Sequence, residues 1–431
     1  MSTSTAHSRV FETPDLLRAI CSVSKHRTCT ALLRLNKSSF RVAAPFVWNK
    51  VTQVTYLLRL IPGVNIPATS QGVIKITLPP FASADFSRFT MYAPYIRSLD
   101  VHSNVSVSPW RTLVLQSKQQ PLLPRLSSLT VWQENRKDPI TKELVWMSIL
   151  LTQSVASICV QRSHKAAMGS RQGIFTLLDM VANTCPHVQD LKLPAITGGT
   201  EETDGEHYLL NLFSGRTASD SFQIFSSLRT LTTGLSLLCS ESFQALGSLP
   251  HLRHLHIYTG NSGTAGVLEA VPSDENLFPA LEYLCLENLY WKDIVLVLGQ
   301  QSLVKKPASL RLVLDDTTTR ITLDNISDIF AMLQGMGCLI DLDVDLSRSV
   351  GCYKIEPGGM ILSVLSKLPL RVVQLDNAEF LTISEVHLYQ VFPSLTELRM
   401  SHQLVGMHEF HVFAAMPKLQ YLAVLLGDST T

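Results

Sequence analysis

The sequence predicts an α/β solenoid of about a dozen short strands, each followed by a helix, with a small all-α segment at the N-terminal end. Three observations carry this. A pattern of apolar residue, Pro, any residue, apolar, two residues, apolar, one residue, apolar recurs along most of the chain. The spacers between its copies carry helical spacing. The stretch before the first copy lacks the pattern and reads as amphipathic helices.

Composition limits the alternatives. The chain has 431 residues, 36 Lys+Arg against 35 Asp+Glu and a formal net charge of +1, with 16% charged and 46% hydrophobic residues. A disordered chain needs the opposite balance. No net field exists to draw the protein to nucleic acid or to an anionic membrane, so neither is expected as a partner. No run of apolar residues reaches the ~18 of a membrane span, and the polar start MSTSTAHSRVFETP lacks a signal-peptide core. The 8 cysteines contain no C-x-x-C pair and read as scattered small hydrophobes in a reducing compartment. A soluble protein of the cytoplasm, the nucleus or both is expected, in which the sequons at Asn36, Asn104 and Asn325 stay unmodified.

Residues 1–50 are expected to form short helices. Thr13 stands as N-cap, Pro14 at the first helical position, and Leu16, Leu17, Ile20 and Val23 form an apolar stripe. Lys25-His26-Arg27 reads as a turn. A second helix then carries Leu32, Leu33 and Leu35, and a third Phe40, Ala43, Val47 and Trp48. So short a segment can scarcely close a core alone. Its apolar surface either seals the first repeat, meets a partner, or does both.

Residues 51–431 are expected to be the repeats. FPALEYLCL from Phe278, FPSLTELRM from Phe392, LPHLRHLHI from Leu249 and LPRLSSLTV from Leu123 are clear copies. The position after the Pro slot falls at Ile96, Leu126, Val155, Val188, Leu228, Leu252, Leu281, Ser309, Leu339, Leu370, Leu395 and Leu419. The final apolar–x–apolar pair has period 2 and puts two side chains on one face of a strand. Ile326, Ile329, Phe330 and Leu333 have helical spacing, as do Leu388 with Val391 and Phe410 with Phe413. One strand and one helix per unit is the leucine-rich-repeat arrangement. Strands stack at ~4.8 Å and helices are ~10 Å wide, so a right-handed horseshoe with a concave parallel sheet is expected. GGTEETDGE from Gly198 and NSGTAG from Asn261 read as surface insertions.

The N-terminal residues also resemble a known family. Pro14-Asp15-Leu16-Leu17-Arg18-Ala19-Ile20, Leu32-Leu33, and Phe40 with Trp48 eight residues on are similar to an F-box. Followed by P-x-L-x-x-L-x-L repeats, they resemble fungal F-box/leucine-rich-repeat proteins. The chain departs from the motif at Thr30-Ala31, Lys37-Ser38 and Cys21. The resemblance implies a non-enzymatic substrate-recognition subunit of a Skp–cullin–F-box type ubiquitin ligase. Pro14, Leu16, Leu17, Ile20, Leu32, Phe40 and Trp48 would form or support the face for a Skp-type adaptor and its cullin complex, and the repeats would hold a target protein. The alternative is a repeat scaffold without ligase contact.

The expected target face is the polar side of the strands. Asp100, His102, Thr130 and Trp132 lie early, His254, His256 and Tyr258 in the middle. Later repeats turn acidic: Glu287, Asp315, Asp345 and Asp376 are expected just after four successive strands, with Asp341 and Asp343 beside them. Like charges on adjacent strands are unfavourable unless compensated. Either a target with a basic segment supplies the compensation, or the acids accept backbone hydrogen bonds from loops.

Sequence signatures of other chemistry are lacking. P-loop, dinucleotide fingerprint and G-x-S-x-G elbow do not occur, and no cofactor is implied. His408-Glu409-Phe410-His411 departs from the i, i+4 spacing of H-E-x-x-H and, with His402 nearby, reads as exposed polar residues.

Overall fold

The computed structural model describes residues 13–67, 73–133, 141–162, 171–194, 217–238, 240–259, 276–314, 323–347 and 352–427. Both expected insertions lie outside them. The chain is mixed α/β and divides into two compact units. The first comprises the described residues 13–162 with Met180–Val188, and the second 171–179 with 189–427.

The first unit opens with three helices, α1 (Pro14–Val23), α2 (His26–Leu32) and α3 (Lys37–Trp48). Thr13 occupies the N-cap position with extended backbone, and Pro14 follows in the first turn, as its fixed φ favours. The expected turn at Lys25-His26-Arg27 is shorter, since α2 already begins at His26. Asn36 caps α3, its Oδ1 accepting from Ser39 N at 2.8 Å.

From α3 the chain runs straight into β1 (Lys50–Val51), a strand the repeat pattern did not reveal. It pairs in parallel with β2 (Ser98–His102), which is followed by β3 (Ser128–Gln133) and β4 (Ser157–Arg162).

The second unit carries β5 (Asp190–Lys192), β6 (Thr230–Gly234), β7 (His254–Tyr258), β8 (Tyr283–Glu287) and β9 (Ser309–Val313). β10 (Asp341–Asp345), β11 (Val372–Asp376), β12 (Glu397–Val405) and β13 (Tyr421–Leu426) follow, each parallel to its predecessor. Both units are compatible with a solenoid-like repeat arrangement.

Pairing tests the repeat register. From β2 onward each strand starts two residues after its slot residue, with one departure. Ser309 was expected in the slot, but it is itself the first residue of β9, opposite Tyr283 and Asp341. The slot is therefore Pro307, which is buried. Its ring stands where other units place a branched apolar side chain, which hid the register.

Alternation holds on the inner face. Leu99 and Val101, Leu129 and Val131, Leu255 and Ile257, Leu284 and Leu286, and Leu310 and Leu312 are all fully buried. The helical spacers form as expected at Leu323–Leu333, Leu388–Val391 and Phe410–Ala414. Four spacers carry a short strand beside their helices, and these strands pair in parallel two by two, Ile74–Thr77 with Val105–Ser108 and Tyr353–Ile355 with Ala378–Phe380. No helix among the described residues is long and apolar enough to cross a membrane.

Several buried polar atoms lack a hydrogen-bond partner among the described residues, Thr233 Oγ1, Trp146 Nε1 and an oxygen of Asp293 among them. Asp293, in the helix Trp291–Leu298, is 2% exposed and its Oδ2 has no hydrogen-bond partner among the described residues. Burial pushes its carboxyl from 3.8 up to about 6.

Two predictions follow from this packing. Leu129→Ala should cost about 2–5 kcal/mol of unfolding free energy, whereas Thr130→Ala, on the other face of the same strand, should stay within about 0.5 kcal/mol. Urea titration of each variant measures both. For Asp293 the folded pKa lies above the unfolded one, so the folded chain binds more protons and stability falls as pH rises from about 4 to about 6. Asp293→Asn should remove that slope and gain on the wild type at neutral pH, as urea midpoints across the range will show.

Candidate functional site

Two regions hold the residues singled out by the sequence. In the N-terminal helices, Leu17, Cys21, Cys29, Leu32, Val42 and Ala43 form one buried cluster, with Leu33, Phe46 and Val47 packed against it. The expected stripe on α1 therefore splits. Leu17 and Cys21, one turn apart, face inward. Leu16, Ile20 and Val23 share another face and are 52%, 38% and 87% exposed. Pro14 is also exposed.

Phe40 and Trp48 point elsewhere. The Phe40 ring packs edge-on against Tyr92 at 5.6 Å and Tyr95 at 6.3 Å, and Trp48 lies 4.7 Å from Tyr92. These aromatics fasten α3 to the first repeat, so of the expected adaptor residues they can only support the face. Leu17 and Leu32 support it from the core. Pro14, Leu16 and Ile20 remain to form it.

The second region is the polar face of the strands. In the first unit, Trp132 stacks on His102 with the rings 10° from parallel. In the second, residues of equal register form rows. One row runs Thr232, His256, Cys285, Arg311, Asp343, Gln374 and Arg399. Another runs Gly234, Tyr258, Glu287, Val313, Asp345 and Asp376.

The acidic row differs from the expectation in two ways. Glu287, Asp345 and Asp376 are the last residues of their strands, not the residues beyond them. Val313 fills the intervening place because β9 is displaced by two residues. Asp315 lies outside the described residues.

The acids also have partners. Arg311 Nε sits 3.2 Å from Asp343 Oδ2, and His256 Nε2 is 3.0 Å from Glu287 Oε2. Ser309 donates to Asp341 at 3.0 Å, Ser347 N to Asp345 at 2.8 Å, and Gln374 Nε2 to Asp376 at 2.7 Å. Of the two alternatives, the loop backbone satisfies one acid, Asp345, and side chains serve the others. Tyr258 is tied as well, its hydroxyl donating to Leu193 O at 2.7 Å.

Asp343 is the tightest point of this surface. Burial raises its pKa; Arg311 opposes the rise, while Asp376, Asp345 and Asp341 add to it. Burial also pushes the Cys285 thiol up to about 11 and the Tyr283 phenol up to about 12, so both stay protonated at neutral pH. Arg311 was missed from sequence, although the alternation Leu310-x-Leu312 places it on the polar face.

The remaining His cluster is local scaffolding. His411 Nδ1 lies 2.6 Å from His408 O, Glu409 accepts from Gly406 N at 2.8 Å, and His402 Nδ1 accepts from Asn377 N at 3.0 Å. Among the described residues no group of three or more His, Cys, Asp or Glu side chains could hold a metal ion.

No family model and no curated protein matches the chain. Among solved structures, the yeast complex of Rad7 and Elc1 is similar at 13% identity, covering 100% of this chain and 96% of that one, with a TM-score of 0.34.

Arg311→Ala should raise the Asp343 titration midpoint further, since burial and three acidic neighbours then act unopposed. Carboxyl carbon NMR of both proteins measures this; an unchanged midpoint would show that the pair does not form in solution.

Proposed function

We propose that this chain is a substrate-recognition subunit of a Skp–cullin–F-box type ubiquitin ligase, with α1 docking on a Skp-type adaptor and the strand face holding the target. The supporting observation is the outward stripe of Leu16, Ile20 and Val23 on a helix whose inner face is already closed by Leu17 and Cys21. Apolar side chains left in water at i, i+4 and i+7 suit a helical partner surface. The resemblance of residues 10–50 to an F-box supplies the class of partner. Phe40 and Trp48, seated on Tyr92, would transmit the adaptor's position to the first repeat.

In this reading the protein makes and breaks no bonds. It raises the effective concentration of a target lysine near the ubiquitin-charged enzyme. A target with a basic segment would compete with Arg311 for Asp343 and with His256 for Glu287.

The test separates surface from core. Leu16→Asp with Ile20→Asp should abolish co-purification of a Skp-type adaptor while leaving the thermal midpoint near that of the wild type. Leu17→Ala should instead destabilise the helical segment by about 2–5 kcal/mol. A folded wild-type chain that captures no such adaptor would overturn the reading in favour of a protein-binding scaffold.

A further inference from the structure

The net charge of +1 conceals a partition. Residues 1–162 hold 19 Lys+Arg against 7 Asp+Glu, and residues 163–431 hold 17 against 28. The bias is sharpest in the N-terminal helices, where Asp15 is the sole acid between residues 13 and 50 and is taken up by Arg18 at 2.9 Å. Lys25, Arg27, Arg34, Lys37, Arg41 and Lys50 are all exposed, and none of them forms an ion pair among the described residues.

The placement of these cations opposes the electrostatics of the segment itself. Neither α2 nor α3 has an acid in its first turn. Arg27 and Lys37 stand there instead, at helix ends where the backbone dipole favours negative charge. Lys37 and Arg41 are also one turn apart on α3, a spacing at which like charges repel. Charges that weaken the helices carrying them point to a partner that neutralises them.

The apolar residues of the same segment select the class of partner. Leu16, Ile20, Val23 and Leu35 are exposed between and beside these cations in the chain. Large aliphatic side chains suit a groove on a protein better than the polar, wet interface of a nucleic acid. No Phe, Tyr or Trp of residues 13–50 is exposed, so the surface offers no ring to stack on bases or to lodge at a lipid headgroup boundary.

We propose that the N-terminal helices dock on an acidic protein surface, whose apolar groove takes the α1 stripe and whose carboxylates face Lys25, Arg27, Lys37 and Arg41. This rests on the reading of α1 as the adaptor-docking helix, and adds the charge of the adaptor.

Titration calorimetry of the full chain with a purified Skp-type adaptor tests it, at about 0.05 and about 0.5 M NaCl, a change that shortens the screening length about three-fold. Wild-type affinity should fall about ten-fold across that range. Lys25→Glu with Arg27→Glu, Lys37→Glu and Arg41→Glu should weaken binding at the lower salt about ten-fold or more. The thermal midpoint of this variant should hold or rise, because Glu is favoured where Arg27 and Lys37 stand. Should the variant fail to fold, the salt dependence of the wild type decides alone. Adaptor binding that ignores both salt and charge reversal would overturn the acidic partner and leave the adaptor reading intact. Absence of adaptor binding at either salt would overturn both. Retention of a DNA duplex or of phosphatidylserine vesicles would in that case assign the cations to nucleic acid or to membrane.

Discussion

The fold depends on one constraint: no single unit can bury its own apolar strand face. Most strands turn two apolar side chains inward, such as Leu284 and Leu286 in β8, and a five-residue strand with one short helix cannot shield them from water. Only the strands on either side complete the burial. Parallel pairing with matched register is what makes this possible, because a one-residue slip would turn the inner pair into solvent. The inner positions are therefore apolar in most strands, with the fully buried Thr233 of β6 as an exception.

That division of labour explains where recognition chemistry can reside. Polar and charged side chains collect on the outer rows, where parallel pairing brings equivalent positions of neighbouring strands side by side. That closeness also stacks like charges. The chain offsets this by interposing Arg311 beside Asp343 and His256 beside Glu287, and by satisfying Asp341, Asp345 and Asp376 from Ser309, Ser347 and Gln374. The face is consequently a mixed-charge surface with most of its acids already occupied.

The N-terminal helices solve a related problem differently. They are too few to enclose all their apolar side chains, and they divide them between a small internal cluster, an aromatic seat on Tyr92 and Tyr95, and an outward stripe on α1. The seat removes the need for a linker, so α3 leads directly into β1 and the first parallel pairing.

Sequence alone determined the class of fold, because period-2 pairs and a recurrent Pro are local properties that need no partner to be read. Eleven of the twelve residues it singled out stand two positions ahead of a parallel strand, and the helices at Leu323–Leu333 and Phe410–Ala414 form where their spacing predicts. It could not show that Pro307 fills the slot ahead of β9, since a Pro in that position breaks the apolar pattern and only strand pairing restores the count. The error carried Asp315 into the acidic row, where Val313 stands instead. Nor could it separate Leu16 from Leu17, or see that Phe40 and Trp48 turn to Tyr92. Which flank of a helix is covered depends on what lies across from it, and neighbours distant in sequence are brought there only by tertiary packing.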